Sequence, residues 1–124
     1  MSLVVAVFED SPIYHEMIIE QVRDTLRDVL IHLADNMVSA LELIGNEERI
    51  DIALVDANLM LDVSTGKDGR AIEKALKERF PKVIIIEVST LAVSLVNPNG
   101  RLIKDKLHDN ISLGKLILKL IPRT

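Results

Sequence analysis

The chain of 124 residues contains no cysteine and no tryptophan, one tyrosine, two phenylalanines, five glycines and four prolines. Without cysteine there is no disulfide framework, no thiolate zinc site and no thiol nucleophile. With 2% aromatic against 48% hydrophobic residues, the core has to be aliphatic. The abundant Val, Ile and Leu suit a parallel sheet buried on both faces. An excess of positive charge is also lacking, with a formal net charge of -4 and a sequence pI near 5.3. An acidic chain gains nothing from counterion release, so direct nucleic-acid binding is not expected. No apolar run approaches the ~20 residues that cross a bilayer, and the opening MSLVVAVFEDSP has no basic leader. These absences predict a cytoplasmic chain with no membrane partner. The length suits one domain over 1–124 with one substantial core.

The apolar pattern alternates between two periods. Leu3–Phe8 is a continuous apolar run that ends in Glu9-Asp10 and predicts a buried strand. Ser11-Pro12 follows as an N-cap and first helical residue, with Ile13, Met17, Ile18 and Val22 at helical spacing to about Leu26. Val29–Ala34 predicts a second strand. The segment 38–44 predicts a helix with Val38, Leu41 and Ile44 on one face, closed by Gly45-Asn46. Ile52–Val55 is a third short strand running directly into Asp56, and a polar stretch over 58–67 precedes a helix from about Gly69 to Arg79. Phe80-Pro81 breaks that helix. The segment 83–86, with an extension to Val88 as the alternative, predicts the fourth strand, and Leu102-Ile103 a short fifth. The last helix, over 112–121, carries Leu113, Leu116, Ile117, Leu120 and Ile121 as an apolar stripe. Five alternating β-α units predict a parallel sheet covered by helices on both faces.

Ligands of such sheets bind outside the carboxyl ends of the strands. There the first strand delivers Glu9 and Asp10, the third Asp56 and the fifth Lys104. The fourth delivers either Ser89-Thr90 or Glu87, according to where it stops. Three converging carboxylates repel one another unless a cation sits among them, and a hard, oxygen-preferring ion such as Mg²⁺ suits the set. Lys104 adds a charge that can pair with Asp56 or with a phosphoryl oxygen. Taken singly each piece has an ordinary explanation: an Asp after a strand is a turn residue, an acidic pair before a helix complements its dipole, and a lysine belongs to the surface. His15 and His32 lie away from the expected mouth with no second ligand at metal spacing, and His108 reads as a loop or cap residue.

Together the pieces resemble the receiver domain of two-component response regulators over nearly the whole chain. The resemblance rests on Phe8-Glu9-Asp10-Ser11-Pro12, Leu54-Val55-Asp56-Ala57-Asn58, Asp68-Gly69 and Leu102-Ile103-Lys104-Asp105, in order and at strand ends. It implies a flavodoxin-like, doubly wound, five-stranded sheet of order 2-1-3-4-5. It also implies Asp56 as phosphoacceptor, and Glu9, Asp10, Asp56 and the backbone carbonyl of Asn58 as Mg²⁺ ligands. Lys104 would contact the phosphoryl group, with Ser89, or Glu87 in its place, beside it. The implied partners are a histidine kinase or phosphotransfer protein, and downstream either another protein or an effector domain, with homodimerisation open. Such a chain catalyses at most its own phosphorylation and dephosphorylation.

The sequence also departs from the family pattern. The stretch between Asp56 and Asp68 is long and lacks a proline where Leu59-Met60-Leu61 stands, with Asp62 as an additional carboxylate. The segment 91–96 leaves room only for a shortened fourth helix. Burying Glu87 inside a strand is expensive, which argues for an end at Ile86, whereas spacing from Asp68-Gly69 favours Ser89. Arg101 stands where the family often has a switching aromatic residue, and Asp105 where a proline usually follows the lysine. These departures leave a second expectation, a pseudo-receiver that acts as a phosphorylation-independent protein-interaction module. A flavodoxin-like binder of nucleotide or another small ligand is disfavoured, because no glycine-rich phosphate loop follows the first strand.

Overall fold

The fold comes from a computed structural model that describes residues 2–56, 67–90 and 95–122. Strands β1 (Leu3–Phe8), β2 (Val29–Ala34), β3 (Ile52–Val55), β4 (Ile84–Ser89) and β5 (Gly100–Ile103) form one sheet of order β2-β1-β3-β4-β5. All four pairings are parallel. Among the described residues the sheet is accompanied by helices α1 (Pro12–Thr25), α2 (Met37–Asn46), α3 (Lys67–Arg79) and α4 (Ser112–Leu120), with a 3₁₀ helix over Lys104–Asp109.

Strand alternation divides the core in two. Ala6, Phe8, Ala53, Val55 and Ile85 face α2 and α3, where Ala40, Ile44, Ile72 and Leu76 meet them. Val5, Val7, Leu54, Ile86 and Val88 face α1 and α4, where Ile18, Val22, Leu113 and Ile117 close the other layer. This is the doubly wound arrangement expected from the β-α alternation. The long run of buried aliphatics replaces the aromatic mass the sequence lacks.

Local chemistry sets the helix ends. Pro12 occupies the first turn of α1 behind Ser11. Asn36 and Ser39 form a reciprocal capping box at the start of α2, with Ser39 N donating to Asn36 Oδ1 at 2.8 Å. Asn110 takes the left-handed conformation, φ 64°, and Asp109 Oδ1 then accepts the backbone N–H groups of Ile111 and Ser112 at 2.9 Å each. Asparagine tolerates that conformation better than most residues.

The structure corrects the sequence in two elements. Val38 and Leu41 of α2 are exposed, while Ala40 and Ile44 are buried beside half-buried Met37 and Leu43. The stripes 38/41/44 and 37/40/44 both fit a helix. The small Ala40 decides between them by letting the helix approach the sheet. In β4 the strand passes through Glu87 and ends at Ser89, so of the two expected ends the later one holds and the stop at Ile86 does not. The reason is pairing: β5 brings Arg101 opposite Glu87, with Arg101 Nε 3.3 Å from Glu87 Oε1. Leu95 N donates to the same oxygen at 3.1 Å, and Ser89 Oγ to Oε2 at 2.9 Å. A buried carboxylate with this many donors no longer carries the penalty of an orphan.

The expected shortened helix over 91–96 falls mostly on 91–94, outside the described residues, and Leu95–Asn97 are bends. The long stretch after Asp56, including Asn58, Leu59-Met60-Leu61 and Asp62, also lies outside them.

Candidate functional site

The carboxyl ends of β1 and β3 lie side by side because Val5–Phe8 pairs with Ile52–Val55. Glu9 N donates to Ala34 O at 3.1 Å and Asp56 N to Phe8 O at 2.8 Å. Backbone bonds of the sheet thus fix both acidic residues as they leave it. Glu9 and Asp56 are buried, at 1% and 4% exposure, and Asp10 is exposed. One oxygen from each of the three lies within 4.8 Å of the others.

Lys104 reaches this cluster from the first residue of the 3₁₀ helix. It is only 6% exposed. Its Nζ donates to Asp56 Oδ2 at 3.0 Å and to Glu9 Oε2 at 3.1 Å. Glu9 Oε1 is 2.9 Å from the same nitrogen, yet accepts no well-directed hydrogen bond. That contact is therefore Coulombic rather than a directed bond. Ser11 N supplies a further bond to Glu9 Oε2 at 3.1 Å.

The electrostatics follow from burial and crowding. Glu9 is pushed from 4.5 up to about 8, chiefly by desolvation and then by the charge of Asp56, against the opposing pull of Lys104. Burial alone would lower the Lys104 pKa. The Glu9 hydrogen bond and the Asp56 charge outweigh it and hold that pKa above the ordinary lysine value. The cluster thus relieves its crowding by retaining a proton on Glu9 that a cation can replace. A buried Glu9 oxygen without a directed donor, an exposed Asp10 and a shared Asp56 make a donor set that fits a hard divalent cation.

Residues to which the sequence assigned no role at the site border the mouth. Tyr14, in the first turn of α1, presents its ring face to Lys104, whose Nζ is 4.6 Å from the centroid. The Tyr14 ring meets His108 edge-on, with centroids 6.5 Å apart and planes at 66°. His15 Nε2 hydrogen-bonds the Glu9 carbonyl oxygen, so His15 is not remote from the mouth as expected. The signal available was position, since α1 begins directly after Asp10 and its first turn borders whatever β1 delivers. His32 is away from the mouth, beside Glu47 on the β2 edge.

The structure places Glu9, Asp10, Asp56 and Lys104 together. Ser89 and Glu87 stand at the end of neighbouring β4, hydrogen-bonded to each other. Asn58 is outside the described residues.

No protein-family model and no curated protein matches the sequence. Solved structures do match the fold. Salmonella typhimurium RcsB response regulator superposes with a TM-score of 0.74 at 17% identity, covering 96% of this chain and 60% of that one. A response regulator from Thermotoga maritima gives 0.70 at 17% identity, covering 95% and 99%. The phosphorylated cyanobacterial phytochrome response regulator RcpA gives 0.74 at 17% identity, covering 96% and 93%. The fold is that of a response-regulator receiver domain.

The chain spans about three fifths of the length of the RcsB chain, and nearly all of the Thermotoga chain. Within the receiver fold, the acidic cluster and Lys104 occupy the carboxyl end of the sheet, where open α/β sheets bind their ligands.

Proposed function

We propose that this chain is a two-component signalling receiver that accepts a phosphoryl group on Asp56. The observation that carries the reading is the convergence of Glu9, Asp10 and Asp56 within 4.8 Å, with buried Lys104 donating to Asp56 at 3.0 Å. Phosphoryl transfer to a carboxylate needs charge neutralisation and in-line positioning more than acid–base chemistry. That is what this set can supply.

In the proposed reaction an Asp56 carboxylate oxygen attacks phosphorus of a phosphohistidine on a kinase or phosphotransfer protein. The P–N bond breaks, its electron pair returns to the imidazole, and Asp56 becomes an acyl phosphate. Lys104 holds the attacking carboxylate and then faces a phosphoryl oxygen. Ser89, on the adjacent strand, is the hydroxyl candidate for the same group, held meanwhile by Glu87. Glu9, Asp10, Asp56 and the backbone carbonyl of Asn58 would hold Mg²⁺, which neutralises charge on the transferring group. The chain turns over only itself in the cytoplasm, and its signal passes by a shift between two conformations to a downstream protein or effector domain.

One observation favours the second reading, a pseudo-receiver. Ser89 Oγ donates to Glu87 Oε2, a buried carboxylate on the same strand, which competes with a phosphoryl oxygen for that hydroxyl. Beryllofluoride with Mg²⁺ separates the two. A receiver shows NMR shift changes around Asp56 that are absent in Asp56→Asn. A pseudo-receiver shows none in either protein.

A further inference from the structure

We propose that Tyr14 is a positioning residue that keeps the Lys104 ammonium at the mouth when the carboxylates are engaged by a cation. The inference rests on the Mg²⁺-binding reading of the cluster.

Lys104 has two kinds of partner. The carboxylates of Glu9 and Asp56 lie 2.9–3.1 Å from Nζ. The Tyr14 ring lies 4.6 Å away at its centroid. A divalent cation held by Glu9, Asp10 and Asp56 would compete with the ammonium for the charge of Glu9 and Asp56, the two residues they would share. Its own charge also repels Lys104. A buried ammonium left with no partner would swing out to water. The aromatic face attracts the ammonium through its quadrupole, offers no lone pair to the metal, and is therefore the partner that both states share.

The ring is also built in place rather than free to follow. Pro12 fixes the first turn of α1. The His108 edge contact joins Tyr14 to the 3₁₀ helix that carries Lys104, and the His15 bond to the Glu9 carbonyl ties the next residue to the β1 end. Tyr14 and Lys104 thus keep their relation independently of the carboxylates. The phenol hydroxyl has no part in this, so phenylalanine should serve as well.

NMR of the Lys104 side chain tests the idea during a Mg²⁺ titration. Ring current should shift the Lys104 Cε–H signals upfield, and the shift should survive Mg²⁺ saturation. Tyr14→Phe should keep both that shift and the wild-type Mg²⁺ dissociation constant. Tyr14→Leu should lose the shift and let the Lys104 signals move to solvent-exposed positions at Mg²⁺ saturation, while the Mg²⁺ dissociation constant changes by less than about twofold, because a contact made in both states cancels from it. A Lys104 signal that moves to a solvent-exposed position at saturation overturns the proposal while leaving the metal site intact. So does a Tyr14→Leu protein whose Lys104 signals keep a solvent-protected position at Mg²⁺ saturation. Absence of any Mg²⁺ response in the wild type overturns both this inference and the metal reading.

Discussion

Glu9 is pulled two ways, by burial beside Asp56, which favours its proton, and by Lys104, which favours its charge. Burial and Asp56 prevail, and the folded-state pKa rises from 4.5 to about 8. The linkage sign follows: between those values the folded chain retains a proton that the unfolded chain has released. The contribution of Glu9 is fully present below pH 4.5 and is lost as pH rises through about 8. In chelator, the melting temperature should therefore fall across that window, and Glu9→Gln should flatten the fall. Glu87 is a buried carboxylate with donors from Leu95, Ser89 and Arg101. Glu87→Ala leaves the Leu95 amide without that acceptor and should cost about 2 kcal/mol in urea unfolding. Glu87→Gln, which retains an acceptor, should cost less. Sequence reasoning had the candidate carboxylates and the lysine but gave Tyr14 no role and set His15 away from the mouth. A first-turn aromatic and a lone histidine have no spacing signature of their own.

At the scale of elements, the α1–α4 contact depends on a missing side chain. A Cβ at Gly114 would stand 2.4 Å from Thr25 Oγ1, and that hydroxyl is already committed to Gln21 O at 2.8 Å. Gly114→Ala should therefore destabilise the chain by about 1 kcal/mol despite the gain in helix propensity. In a Thr25→Ala background the clash disappears, and the same substitution should become stabilising by up to about 1 kcal/mol. Thermal unfolding of the four proteins gives the reversal of sign directly. Elements were largely legible, because continuous apolar runs and capping residues mark their ends. What was not legible was phase and continuation. Two stripes of α2 fitted the helical period, and the extension of β4 through Glu87 depended on Arg101 arriving from another strand.

For the whole molecule, β-α alternation dictates a parallel sheet, and a parallel sheet dictates a mouth at its carboxyl edge. The order β2-β1-β3-β4-β5 then brings β1 and β3 together, which converts residues 47 positions apart, Glu9 and Asp56, into neighbours. This much of the site could be anticipated because it depends on topology. The hydroxyl partner, the ring under Lys104 and the bonds of Glu87 could not, since each is settled by side-chain packing. A cation that binds only the folded state should stabilise it, by about 1.4 kcal/mol at tenfold excess over its dissociation constant. Its effect on melting temperature should be larger at pH 8.5 than at pH 6, because Glu9 must lose its proton first. The central claim is tested most directly by intact-mass measurement after incubation with acetyl phosphate and Mg²⁺. A single phosphoryl adduct should appear that is labile to hydroxylamine, abolished by chelator and absent from Asp56→Asn. An unmodified wild-type mass, or an adduct that survives in Asp56→Asn, would contradict the claim.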